Sequence, residues 1–450
     1  MSSASPPPDL TRYREAISRT DTIRVNGRVA QVIGVLVEAH GPACGVGEIC
    51  RIECGRTKGD VPAEVVGFRE SRTLLMPFGA VSEIRPGCQV IATGAGLRVA
   101  VGQSLLGRVL DGLGSPLDGK GSIEGEHEVG AAADPPHPLE RRRITERLSL
   151  GVRAIDGLMT IGKGQRIGIF SGSGVGKSTL LGMMARNTSA DVNVIGLVGE
   201  RGREVRDFIE KDLGEEGLAR SVVVVATSDQ VPVIRLRGAQ VATAIAEFFR
   251  DKGLDVLLMM DSVTRVAWSQ REIGLASGEP PTTRGYTPSV FAVLPQLLER
   301  SGTSAAGSIT GLYTVLVEGD DMNEPVADTV RGILDGHIVL SRDLVARNHY
   351  PAVDVLASVS RLMPEITSDE HRAGAGRLRD VLATYKAAED LINIGAYARG
   401  SNPRIDFALS KIDEVNSFLR QGIDERADFD TTSAALQEMF AQLDAETSSA

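Results

Sequence analysis

The chain has 450 residues, of which 42% are hydrophobic and 24% charged, enough for about two to four globular domains with sizeable cores. Its 49 basic and 59 acidic residues leave a net charge of −10, and only 4% of residues are aromatic, which counts against a broad nucleic-acid surface or a base-stacking platform. No apolar run reaches membrane-spanning length and the N-terminus lacks a secretory core, so a cytoplasmic protein is expected.

Residues 1–22 open with Pro6-Pro7-Pro8 and then place Leu10, Tyr13 and Ile17 at helical spacing. That pattern predicts either a short amphipathic helix that docks on a partner or membrane surface, or a frayed tail. Residues 23–95 change to short β-rich runs at Ile23–Val25, Ala30–Glu38, Glu48–Glu53, Val61–Phe68 and Gln89–Ala92, punctuated by Gly and Pro as in a small antiparallel barrel. Cys44, Cys50, Cys54 and Cys88 all fall there. Their spacing matches no common zinc pattern, and buried reduced thiols are expected. Residues 107–140, with Gly107-Arg108-Val109-Leu110-Asp111-Gly112 and a Pro-rich stretch at 131–138, read as a connector.

The central segment alternates strands with helical patterns, the signature of a mainly parallel sheet covered by helices. Strands are predicted at Arg166–Phe170, Val192–Val198, Ser221–Thr227, Val256–Met260, Gly311–Val317 and His337–Ser341, and their near-continuous Val/Ile/Leu content suits burial on both faces. After about residue 368 the periodicity is helical, carried by Leu378, Val381, Leu382 and Tyr385, by Ile405, Leu409, Ile412 and Val415, and by Leu436, Met439 and Phe440. The divisions expected are therefore a segment 1–22, a β-barrel 23–95, an α/β nucleotide-binding core with its connector 96–365, and a helical domain 366–450.

The chemistry begins where the strand ending at Phe170 breaks into Ser171-Gly172-Ser173-Gly174-Val175-Gly176-Lys177-Ser178-Thr179. A glycine-rich loop entering a helix turns backbone N–H groups toward phosphate oxygens, and the helix points its positive end there. Lys177 would reach the β- and γ-phosphates of ATP and Ser178 would ligate Mg²⁺. Ser171 stands where the usual pattern has Gly, a small substitution in a turn. Asp261 ends the apolar run Val256–Met260, the place from which a carboxylate holds the magnesium waters, although a strand-end Asp also caps helices. Glu200 and Arg201 follow the strand Val192–Val198, where Glu200 can polarise an attacking water and Arg201 contact phosphate. Arg265 lies one helical turn past Asp261.

Taken in order, Ser171–Thr179, Gly199-Glu200-Arg201, Asp261-Ser262-Val263-Thr264-Arg265, Arg347–Asp354 and Ser358-Val359-Ser360-Arg361 resemble the catalytic subunits of rotary ATPases. The resemblance spans residues 23–365 and implies a RecA-like P-loop core, an N-terminal small β-barrel, a C-terminal helical domain and a hexameric ring with nucleotide between subunits. It also implies that Glu200 is the catalytic carboxylate, that Arg201 and Arg265 contact phosphate, and that Tyr350 stacks on adenine. Arg361 is implied to be an arginine finger supplied to the neighbour.

Gly278–Pro288, Val317–Pro325, Ile394–Ser401 and Glu425–Phe429 resemble the type III protein export branch, the last two its flagellar members. What this implies is a Mg-dependent ATPase that forms a homohexamer and energises flagellar export by releasing chaperones or unfolding cargo. The implied partners are a stator-like protein at the N-terminus, a central stalk protein, the membrane export gate, and export chaperones and substrates, with no nucleic acid. A virulence injectisome ATPase and the catalytic subunit of an ATP synthase are the alternatives.

Overall fold

The computed structural model describes residues 26–441 apart from 56–58, 318 and 320. The helix-or-tail expected within residues 1–22 and the strand expected at Ile23–Val25 lie outside the described residues. The chain forms two compact units that divide after Ala95.

The first unit is a closed barrel of the strands Gly27–Ile33, Leu36–His40, Glu48–Glu53, Val61–Arg69, Arg72–Pro77 and Gln89–Gly96, arranged in the order first, second, fifth, fourth, third, sixth. The single run expected over Ala30–Glu38 is two strands, because Gly34 adopts φ +58° and turns a hairpin that pairs Ile33 with Leu36. Inward-facing Val29, Val37, Cys50, Ile52, Val65, Leu75 and Val90 fill the barrel. Cys50 and Cys88 are buried, but Cys44 and Cys54 are only half-buried, and all four thiols are free. Burial pushes the Cys50 thiol up to about 12 and that of Cys54 up to about 11.

The second unit is built on one sheet whose strands run, edge to edge, Val353–Ser360, Gly336–Leu340, Arg166–Ser171, Ser308–Leu316, Asp255–Asp261, Val192–Val198, Ser221–Ala226 and Arg108–Asp111. All are parallel except the edge strand Val353–Ser360 and the short Gly302–Thr303, which pair antiparallel. The segment expected to be a connector thus supplies a strand of the main sheet. Its Arg108 is fixed by a two-pronged ion pair with Asp118 at 2.7 and 3.0 Å, and both side chains are buried.

The two faces of this sheet belong to two cores. Ile195, Leu197, Val223, Val225, Leu257, Met259 and Leu312 face the P-loop helix Lys177–Asn187 and the C-terminal helices. Val192, Val194, Val222, Val224, Val256 and Leu258 face Ala242, Ile245 and Phe249 of the long helix Pro232–Asp251. This is the period-two alternation of a strand with apolar residues at every position. Burial of each large side chain contributes about 1.5–3 kcal/mol.

The C-terminal part comprises helices Asp369–Asn393, Pro403–Leu419 and Phe429–Glu438, each N-capped by a side chain: Ser368, Asn402 and Asp428. Leu378, Val381, Val415, Leu419, Leu436 and Phe440 join the same core as the sheet, so these helices pack on the nucleotide-binding core instead of standing apart. Arg153 fastens the junction, donating from its backbone N–H to Gln421 at 2.8 Å and from its side chain to the carbonyls of Phe418 and Arg420 and to Glu425. Among the described residues no helix is long and apolar enough to cross a membrane.

Candidate active site

The strands ending at Ser171, Val198 and Asp261 finish on the same edge of the sheet, where open parallel sheets bind ligands. From Ser171 the chain leaves through Gly172–Gly176 and enters the helix Lys177–Asn187. Gly174 and Gly176 hold φ of +77° and +83°, a left-handed conformation that favours glycine. Gly176 caps the helix without any side-chain hydrogen bond, so the first-turn N–H groups at Lys177, Ser178 and Thr179 are left for an anion.

Ser171 needs no glycine geometry, because it still belongs to the strand. Its hydroxyl is buried without a hydrogen-bond partner among the described residues. Gly172 lies under the guanidinium of Arg342: a Cβ there would fall 2.4 Å from its Nη2 and displace that side chain. Ser173, Gly174 and Ser178 are exposed along the loop mouth, while Val175 is buried in the core. The Thr179 side chain lies beside the Asp212 carboxylate.

Three charged side chains converge at this mouth. The Lys177 ammonium contacts Asp261 Oδ1 and stands 3.8 Å from Glu200 Oε1, with all three side chains largely buried. Thr314 donates its hydroxyl proton to the same Asp261 oxygen at 2.7 Å. Burial raises the Glu200 carboxyl to about 7, the negative charge of Asp261 adds to that rise, and Lys177 opposes it. Gly199, at φ +73°, turns the chain so that Glu200 faces Lys177, and its missing side chain leaves room for the stem of Arg265.

The other predicted residues are distributed around this cluster. Arg265 is in the first turn of the helix Val263–Ser277, capped by Ser262, with its guanidinium 4.8 Å from the centre of the Trp268 ring and its Nε buried and unpartnered among the described residues. Arg201 is not brought into the cluster: its exposed guanidinium lies 3.6 Å from Glu204 at the surface. The ring of Tyr350 is 43% exposed and sits beside the P-loop, 3.8 Å from where a Cβ on Gly176 would be. Its carbonyl accepts from the Gln421 backbone N–H at 2.9 Å, which ties the C-terminal turn to the loop. Arg361 is exposed just past the edge strand Val353–Ser360, away from the P-loop of its own chain.

Three participants were not read from the sequence: Thr314, Glu204 and Arg342. Glu204, in the first turn of the helix Gly202–Asp207, adds to the rise of the Glu200 carboxyl, and the charged run Glu200–Glu204 was its only signal in the sequence. Thr314 carried none, since Thr is ordinary in a strand. The hydroxyl of Ser178 and the carboxylate of Asp261 are hard oxygen donors at the open end of the loop, a set that fits Mg²⁺.

Comparison with known proteins places this geometry in context. Residues 151–360 match the nucleotide-binding domain of the ATP synthase alpha/beta family, residues 29–94 its beta-barrel domain, and residues 367–438 the T3SS EscN ATPase C-terminal domain. The flagellum-specific ATP synthase of Bacillus subtilis (strain 168) is 58% identical over 423 residues, covering 94% of this chain and 97% of that protein. The assembled ATPase EscN of the enteropathogenic E. coli type III secretion system superposes with a TM-score of 0.87 at 44% identity, covering 92% of this chain and 99% of that one. EscN in complex with its central stalk EscO gives 0.85 at 43% identity, with the same coverage.

Proposed function

The chain belongs to the type III secretion branch of the ATP synthase alpha/beta family, and from that footing we propose that it hydrolyses ATP in a homohexameric ring to energise flagellar protein export. The observation that carries the catalytic reading is the convergence of Lys177, Glu200 and Asp261 at the open end of the P-loop. Flagellar export is favoured over the injectisome alternative by the 58% identity to a flagellar relative, against 53% to a type 3 secretion system ATPase. An ATP synthase subunit is disfavoured by the C-terminal match to the type III secretion domain.

In this reading the N–H groups of Gly172–Thr179 cradle the phosphates, and Tyr350 stacks on adenine. Lys177 leaves Asp261 for the β- and γ-phosphates. Magnesium, held by Ser178 and through water by Asp261, would neutralise phosphate charge. Glu200, raised toward 7, accepts a proton from the attacking water near neutral pH. Arg265 lies next to Gly199 and is positioned to approach the phosphates. Arg201, exposed at the surface, needs a side-chain rearrangement to do so. Arg361 of a neighbouring copy stabilises charge spreading over the transferred group.

EscN has been seen assembled and with its stalk. By analogy this ring is proposed to take a central stalk protein, a stator-like protein at residues 1–22, the membrane export gate, and chaperones with their cargo. Its place is proposed to be the inner face of the cytoplasmic membrane. The test is the dependence of specific ATPase activity on protein concentration. A steep rise that coincides with ring assembly by light scattering supports the proposal, and constant activity from a monomer refutes it.

A further inference from the structure

Thr314 lies in the strand Ser308–Leu316, between the P-loop strand and the strand that ends in Asp261. Its side chain is fully buried, with the hydroxyl 2.7 Å from Asp261 Oδ1 and 3.3 Å from the Met260 carbonyl oxygen. A hydroxyl has one proton, and both the shorter distance and the negative charge direct it to Asp261. Lys177 contacts that same oxygen. The two donors are not equivalent, because Lys177 is on the phosphate loop and Thr314 is fixed in the sheet. When the ammonium moves to bound phosphates, Oδ1 loses one donor and keeps the other.

We propose that Thr314 is a positioning residue for ATP hydrolysis: it pins Asp261 Oδ1 so that the second carboxylate oxygen stays turned to the magnesium shell after Lys177 has left. The proposal rests on the assignment of Asp261 to magnesium made above. A serine at this place would do the same, and a valine, with the same shape and no hydroxyl, would leave Oδ1 buried beside a methyl group.

The experiment measures ADP affinity by titration calorimetry in MgCl₂ and again in EDTA, so that no turnover is involved. It compares the wild type with Thr314→Val, Thr314→Ser, Asp261→Asn and the Thr314→Val/Asp261→Asn pair. Loss of a hydrogen bond to a charged group predicts that Thr314→Val forfeits about tenfold or more of the magnesium-dependent gain in affinity. In EDTA it should stay within roughly twofold of the wild type, and Thr314→Val should add nothing once Asp261 is Asn. Thr314→Ser should retain the full gain. A wild-type gain in Thr314→Val overturns the proposal. So does a Thr314→Ser variant as impaired as Thr314→Val, which would make methyl packing the cause. If Asp261→Asn itself keeps the gain, the magnesium assignment fails and this proposal with it. If Asp261→Asn loses the gain and Thr314→Val does not, only the role of Thr314 fails.

Discussion

Arg361 and Ser171 lie at opposite ends of one sheet. Ser171, where the P-loop departs, pairs with Leu340, whereas Arg361 follows Ser360, which faces Gly336 at the start of that same strand. Four residues of strand, about 13 Å, separate the two ends. An exposed arginine at the far end of its own sheet is badly placed for its own phosphate loop, which is why it is proposed above to serve a neighbour's. On that proposal the cluster of Lys177, Glu200 and Asp261 is half of a nucleotide site.

Glu200→Gln should bind nucleotide close to normally and lose about 10²–10⁴-fold in kcat. A carboxyl raised to about 7 becomes the basic form as pH climbs through that value, so wild-type kcat should rise between pH 6 and 8 (roughly the unit either side of 7) and then level. The residual activity of Glu200→Gln should lack this rising limb in a pH–rate profile.

Gly199→Ala forces a non-glycine residue to φ +73° and puts its Cβ 2.7 Å from Cβ of Arg265. The strain and overlap should cost about 1–3 kcal/mol in denaturant unfolding. Since the displaced groups carry Glu200 and Arg265, kcat should fall by more than the loss of folded protein explains.

Tyr350→Ala removes the exposed ring beside Gly176 and leaves the Lys177 cluster untouched. Steady-state kinetics should show KM for ATP raised by about tenfold, the scale of one base–aromatic stack, with kcat changed little. Tyr350→Phe should behave as wild type.

Asp118→Ala strips the buried partner from Arg108 and should destabilise the unit by about 3–5 kcal/mol in chemical denaturation. The Arg108 guanidinium holds the Asp118 carboxyl well below the usual carboxylate range. Its contribution is therefore present above the unfolded value of about 4 and is lost as pH falls through the folded value. The wild type should lose stability on acidification, and the variant should lack that part of the loss.

What the sequence revealed follows from the range of the interactions. The strand, glycine loop and helix around Lys177 are local, and so is the apolar run that delivers Asp261; both were legible. Glu200 was legible because a charged turn directly follows a buried strand. The strand Arg108–Asp111 was not, since four residues between two glycines carry too little pattern and its place at the sheet edge is set by pairing with Ser221–Ala226 far along the chain. The edge strand Val353–Ser360 was missed because its alternation breaks at Leu356 and Ala357, both exposed, where the pairing with the next strand shifts register. Arg201 follows the same strand as Glu200, but its exposed side chain lies on Glu204 at the surface, a placement set by the helix that begins at Gly202.

The most direct test of a site shared between copies is subunit mixing. Arg361→Ala and Glu200→Gln should each be nearly inactive alone while still assembling. Mixed in equal amounts and reassembled, about a quarter of the interfaces should pair an intact Glu200 with an intact neighbouring Arg361. Such mixed rings should show ATPase activity well above the sum of the two separate variants. Mixed rings that form, shown by co-purification of two differently tagged variants, and yet remain as inactive as their parents would contradict a shared site.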